Sequence, residues 1–153
     1  MIMIDNCAEI LLVEDSPDDA AMTIRALRKI NLADKLIHVE DGKEALDYLF
    51  GSGVYVNRDL SKCPKVILLD IKMPRVDGIE VLRKIKSNEA TRMIPVVIMT
   101  SSSEEKDMIE TYHLGANSYV VKPMNFESFA QAVSELGLYW LLTNRVPNYP
   151  LNK

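Results

Sequence analysis

The chain has 153 residues, 48% hydrophobic and 26% charged, with a formal net charge of −4. That length and balance fit one soluble globular domain with a sizeable core, and the mild acidity without a Lys/Arg cluster argues against a nucleic-acid surface. Cys7 and Cys63 form no CxxC and no metal-ligand spacing, so a reduced, cytoplasmic chain is expected; Met1 to Ile4, apolar but without a basic residue and followed by Asp5, is neither signal peptide nor membrane span.

The first predicted strand, residues 9–13, is an apolar run after Glu9 that ends in the acidic pair Glu14 and Asp15. Ser16 then reads as an N-cap, with Pro17 at the first helical position and Asp18 and Asp19 in the first turn. Ala20, Ile24 and Leu27 follow at helical spacing, and residues 35–39 form a short second strand. Asp41 and Glu44 have capping-box spacing for a helix with Ala45, Leu46 and Leu49 inward and Gly51 at its end. Residues 51–64 are polar and longer than the usual αβ connection; they read either as a solvated loop or as an insertion carrying a specific contact.

The central strand, residues 65–69, carries a short unbroken apolar run from Val66 to Leu69 that stops on Asp70. Such a run suits a strand covered on both faces, as in a parallel sheet. Asp70 alone reads equally as a turn cap or as a reactive group. Asp77 and Gly78 open a helix with Val81, Leu82 and Ile85 inward. Residues 95–99 form a fourth strand ending at Thr100, and Ser102 with Glu105 has capping-box spacing for a helix through Met108, Ile109 and Tyr112 that stops at Gly115. Residues 118–121 form a fifth strand ending at Lys122 and Pro123, and Asn125 caps a last helix through Phe126, Phe129, Val133, Leu136 and Trp140. Five strands alternating with five helices predict an α/β, doubly wound (βα)5 flavodoxin-like fold with a parallel five-stranded sheet in the order 2-1-3-4-5.

In that order the residues after strands one, three, four and five meet at one edge: Glu14 and Asp15, Asp70, Thr100, and Lys122. Clustered carboxylates repel one another, and a hard divalent cation such as Mg²⁺ resolves the conflict with oxygen ligands. Lys122 supplies a positive charge for a phosphoryl oxygen, Thr100 supplies a hydroxyl donor, and a carboxylate can act as a nucleophile towards phosphorus. Each part has a structural reading by itself; the joint placement at one end of successive strands carries the chemistry.

This set, with Met73, Pro74, Gly78 and Pro123, resembles the receiver domain of two-component response regulators, over residues of roughly 8 to 137. The resemblance implies that Asp70 is the phosphoacceptor of a sensor histidine kinase. It implies that Asp15, Asp70 and the backbone carbonyl of Lys72 ligate Mg²⁺ or Mn²⁺, with Glu14 acting through water; family receivers often carry Asp at the Glu14 position. Lys122 would pair with Asp70 and then with the phosphoryl group, and the Lys122–Pro123 peptide would be cis. Thr100 and Tyr119 would form the switch, although Tyr119 also reads as an ordinary edge-strand aromatic. On this reading residues 1–153 form a single receiver domain, with a helical extension and tail from 138, no turnover beyond its own phosphorylation and slow dephosphorylation, and a protein contact as output.

The 51–64 loop and the ending Leu136, Gly137, Leu138, Tyr139, Trp140 and Leu141 resemble the stand-alone receivers that partner phytochrome-type histidine kinases. Several of those dimerise through the last strand and helix. The apolar ending, including Leu142, reads equally as an interface or as a tail folding back on its own domain. A haloacid-dehalogenase-type phosphatase would need a second Asp where Lys72 stands, and a flavin module would meet repulsion from Glu14 and Asp15 at its phosphate loop. A scaffold independent of phosphorylation would leave the acceptor set unexplained.

Overall fold

A computed structural model describes residues 8–73 and 76–146; Pro74 lies outside them. Strands β1 (Ile10–Val13), β2 (Leu36–Val39), β3 (Val66–Leu69), β4 (Val96–Thr100) and β5 (Ser118–Val121) form one sheet in the order β2-β1-β3-β4-β5. All pairings are parallel, with Val13 opposite Leu69 and Leu69 opposite Ile98. The predicted fold and strand order are those observed. Helices α1 (Pro17–Lys29), α2 (Gly42–Phe50), α3 (Gly78–Ser87), α4 (Glu105–His113) and α5 (Phe126–Leu138) connect and follow the strands.

The period-2 geometry of a strand divides the apolar residues between two cores. Leu11, Val13, Ile67, Leu69 and Ile98 pack with Ala45, Leu49, Val81, Leu82 and Ile85 of α2 and α3. Ile10, Leu12, Val66, Leu68, Val97 and Met99 pack with Ala20 and Leu27 of α1 and Phe129 and Val133 of α5. With both faces covered, the only polar frontier left to the central strands is their ends.

The caps follow the sequence. Ser16, Asp41, Asp77 and Asn125 each accept a backbone N–H of the first turn they open, and Gly51 closes α2 in the left-handed region. Helix α4 differs. It starts after Glu104, whose side chain makes no cap bond; the Ser102 hydroxyl, two residues earlier, accepts the Glu104 N–H at 3.3 Å and donates to Asp107 at 2.6 Å. The buried residues of α4 are Asp107 and Thr111, while Ile109 and Tyr112 face solvent. Polar contacts at Asp107 therefore help seat this helix, together with Leu114 at its C-terminal end, which packs on the core.

The 51–64 segment is pinned to the domain. Arg58 is buried and donates to the carbonyls of Tyr48 (2.6 Å), Leu49 (3.4 Å) and Lys62 (2.9 Å), with its guanidinium 4.2 Å from the centre of the Tyr48 ring. At the other end of the chain, α5 gives way after Leu138 to a π-helical turn, Tyr139–Thr143, that returns Leu141 to the core. Leu138, Tyr139 and Leu142 stay 41%, 48% and 67% exposed, so the ending both folds back and leaves an apolar strip. No helix among the described residues is long and apolar enough to cross a membrane.

Candidate functional site

The parallel register brings the carboxyl ends of β1, β3, β4 and β5 together, and with them the predicted side chains. Asp70 is buried immediately after β3. Its backbone turns sharply beneath α3, and Gly78 permits the turn: a Cβ there would collide with the Asp70 carbonyl oxygen and the Ile71 Cα. One Asp70 oxygen accepts from the Lys72 backbone N–H at 2.9 Å, and the other meets the Lys122 ammonium at 3.0 Å. Glu14, Asp15 and Asp70 each offer a carboxylate oxygen, all within 4.8 Å of one another.

Lys122 is the positive centre of the cluster. Its Nζ lies 2.7 Å from Glu14 Oε1, 2.7 Å from Asp19 Oδ2 and 3.0 Å from Asp70 Oδ2. Burial opposes its charge, but the bonds from Asp19 and Glu14 and the nearby Asp70 outweigh burial and hold its pKa above the ordinary lysine value. Burial also pushes the Glu14 carboxyl up, with the Asp70 charge adding to the rise and the Lys122 ammonium opposing it. One ammonium thus faces Glu14, Asp19 and Asp70, with Asp15 alongside. The surplus of carboxylate oxygens fits a hard divalent cation, which prefers such donors.

Two remaining site residues lie on the adjoining edge. Thr100 is fully buried, and its hydroxyl oxygen accepts weakly from the Ser102 N–H at 3.4 Å. The Tyr119 hydroxyl donates to the Ser102 carbonyl at 3.0 Å. The Lys122–Pro123 expectation is corrected: no cis peptide bond occurs among the described residues, so this bond is trans. Trans is the lower-energy isomer even before proline. The trans chain already donates Lys122 N–H to the Thr100 carbonyl at 2.7 Å and delivers the ammonium to Asp70, so no contact here requires the other isomer.

Two contributors were not foreseen. Asp19 reads in the sequence as a first-turn acid of α1, and that role hides its bond to Lys122. Asp107, on α4, is buried, accepting from Ser102 Oγ at 2.6 Å and pairing with Lys72 Nζ at 3.2 Å. The Ser102 bond, helped by the Lys72 charge and opposed by burial, holds the Asp107 carboxyl below the usual range. Nothing in the spacing of residues 100–107 points to it; only an acid beyond the expected cap hints at a second use.

Comparison with family models matches residues 10–134 to the response regulator receiver domain. The chain is 42% identical to the probable methanogenesis regulatory protein FilR2 of Methanothrix harundinacea, over 90% of this chain and 86% of that protein. It is 38% identical to the response regulator Rcp1 of Synechocystis sp., over 90% of this chain and 92% of that one. The crystal structure of the Mn²⁺-bound form of Rcp1 superposes with a TM-score of 0.83 at 38% identity, covering 90% of this chain and 97% of that one. The phosphorylated cyanobacterial phytochrome response regulator RcpA superposes with a TM-score of 0.84 at 37% identity, covering 90% of this chain and 96% of that one.

Proposed function

The chain belongs to the response regulator receiver domain family, and from that premise we propose that it accepts a phosphoryl group on Asp70 from a sensor histidine kinase and signals by a conformational switch through protein contacts. The observation that carries this reading is the Lys122 ammonium on the Asp70 carboxylate, with Glu14 and Asp15 oxygens in the same cluster. In the transfer, an Asp70 oxygen attacks the phosphorus of a phosphohistidine. The P–N bond breaks, its electron pair stays on the imidazole nitrogen, and an acyl phosphate forms. Lys122, already paired with Asp70, then holds a phosphoryl oxygen, a task of positioning and charge neutralisation.

Asp15, Asp70 and the Lys72 carbonyl would hold Mg²⁺ or Mn²⁺, with Glu14 acting through water. The bound cation would neutralise the carboxylates and the incoming phosphoryl oxygens. Thr100 turns to the phosphoryl group, and Tyr119 leaves the Ser102 carbonyl to fill the vacated space. Lys72 stands where a phosphatase would need an acid, and its ammonium is paired with Asp107, which favours a slow switch over a multiple-turnover enzyme.

The relation to Rcp1 and RcpA supports a phytochrome-type kinase as donor. The exposed Leu138, Tyr139 and Leu142 support a homodimer through the last strand and helix. We place the protein in the cytoplasm as a single receiver domain. The test is labelling by a phosphodonor in Mg²⁺: the wild type gains an acid-labile label, and Asp70→Asn gains none. Persistent labelling of Asp70→Asn at the wild-type rate would refute Asp70 as acceptor. Phosphotransfer profiling against every histidine kinase of the source organism identifies the donor, and transfer only from kinases without a phytochrome module would refute the finer assignment.

A further inference from the structure

Helix α4 is held in an unusual way. Its buried side chains are Asp107 and Thr111, and its apolar Ile109 and Tyr112 point outward. The Thr111 hydroxyl bonds back to the Asp107 and Met108 carbonyls of its own helix, so it anchors nothing else. Asp107 does reach outward. Its Oδ2 takes both the Ser102 hydroxyl at 2.6 Å, from the β4–α4 loop, and the Lys72 ammonium at 3.2 Å, from the acceptor loop. Ser102 in turn meets Thr100 through its N–H and Tyr119 through its carbonyl. One carboxylate oxygen therefore joins the loop that carries the phosphoacceptor to the loop between Thr100 and Tyr119.

The two bonds on that oxygen differ in character. The Asp107 side chain is 10% exposed, so its hydrogen bond to Ser102 is sheltered. The Lys72 side chain is 51% exposed on a flexible four-carbon stem. Its backbone N–H is already 2.9 Å from Asp70 Oδ1, so its ammonium has a second anion within reach once a phosphoryl group is on Asp70. A half-exposed ion pair is weak enough to be exchanged.

We propose that Asp107 is a latch: the Lys72–Asp107–Ser102 bridge holds α4 and the loop before it in the unphosphorylated arrangement, and a phosphoryl group on Asp70 opens it by drawing Lys72 away from Asp107. This rests on Asp70 being the phosphoacceptor. Asp107 is a positioning residue, acting through Lys72 and Ser102 on the Thr100–Tyr119 switch. Freed of Lys72, the Asp107 carboxylate keeps, among the described residues, its bond to Ser102, and α4, whose apolar contact with the core lies at its far end in Leu114, is left to shift at its start. The latch sets a bias between two states, and phosphoryl binding works against that bias.

The test is a double-mutant cycle read by affinity for beryllofluoride, a phosphoryl mimic, in Mg²⁺. Asp107→Asn keeps an acceptor for Ser102 but loses the charge that holds Lys72. It is expected to tighten beryllofluoride binding about three- to fivefold, the range of one exposed ion pair. In the Lys72→Met background the same substitution is expected to change affinity by less than about 1.5-fold, because the partner is already gone. Equal effects in both backgrounds, or weaker binding by Asp107→Asn, would overturn the latch. Lys72→Met alters a half-exposed side chain and gives a second reading: without ligand, the Tyr119 amide resonance is expected part-way toward its beryllofluoride-bound position, and an unmoved resonance would also overturn it. A wild type that binds no beryllofluoride would overturn the phosphoacceptor reading and the latch with it, an outcome distinct from tight binding that Asp107→Asn leaves unchanged.

Discussion

At the carboxyl end of the sheet, the Lys122 ammonium sits among Glu14, Asp19 and Asp70. At the amino end, two other sheltered cations sit among neutral oxygens. Arg58 is bound by the carbonyls of Tyr48, Leu49 and Lys62, and Lys86 by the carbonyls of Arg92 and Ile94 and the Asn117 side-chain oxygen. All three groups are satisfied, and among the described residues no buried side-chain nitrogen or oxygen lacks a partner. The difference is what remains after pairing. Neutral oxygens around a cation leave a local positive charge and a fixed geometry, which suits a structural pin. Carboxylates in excess of their cation leave negative charge that a metal ion can take up, which suits a site whose partners exchange.

That contrast predicts separable effects. The largest is at the amino end. Arg58→Ala leaves the Tyr48, Leu49 and Lys62 carbonyls without their donor in a buried place, and should cost about 3 kcal/mol or more in urea unfolding. Phosphoacceptance at a temperature where the variant is folded should be unchanged. Loss of labelling in a folded Arg58→Ala protein would erase the division between the two ends.

A smaller but diagnostic effect is expected at the carboxyl end. Lys122→Met removes the only ammonium in contact with Asp70 among the described residues and should cost about 1–3 kcal/mol. Millimolar Mg²⁺ should restore most of that loss, and should stabilise this variant more than the wild type, because binding to the folded state alone shifts unfolding. A midpoint for Lys122→Met that does not respond to Mg²⁺ would contradict the charge excess assigned to this end.

The third effect is a pH dependence at the amino end. Burial pulls the Lys86 ammonium down from 10.5 to about 8. Between these values the unfolded chain binds more protons at this position than the folded one, so stability attributable to Lys86 rises with pH across the window and is flat below about 8. The difference in unfolding free energy between the wild type and Lys86→Met should therefore grow in favour of the wild type from pH 8 to 10.5. A difference that stays constant or shrinks would remove the burial effect.

Much of this was legible in the sequence because it is local. Unbroken apolar runs followed by Glu14, Asp70, Thr100 and Lys122 give strands and their ends, and Ser16, Asp41, Asp77 and Asn125 mark helix starts by their own short-range chemistry. What escaped is what depends on distant partners. Asp19 has a sufficient local role in the first turn of α1, so its bond to Lys122, 103 positions away, leaves no separate mark. Ser102 looked like a cap, but its hydroxyl accepts the Glu104 N–H and donates to Asp107, and the helix begins later. Arg58 looked like one more polar loop residue, since the carbonyls it binds become a site only when the C-terminal end of α2 meets the loop. The trans Lys122–Pro123 bond was missed for the opposite reason: the expectation came from resemblance, and no residue in this chain demanded it.

The central claim is that the carboxylate-rich end exists to place a phosphoryl group on one oxygen of Asp70. The direct measurement is chemical trapping. The protein is phosphorylated in Mg²⁺, reduced with borohydride, which converts an aspartyl phosphate to homoserine, and digested for mass spectrometry. Homoserine at position 70 and at no other aspartate is predicted; homoserine at Asp15, Asp19 or Asp107 with Asp70 intact would contradict it.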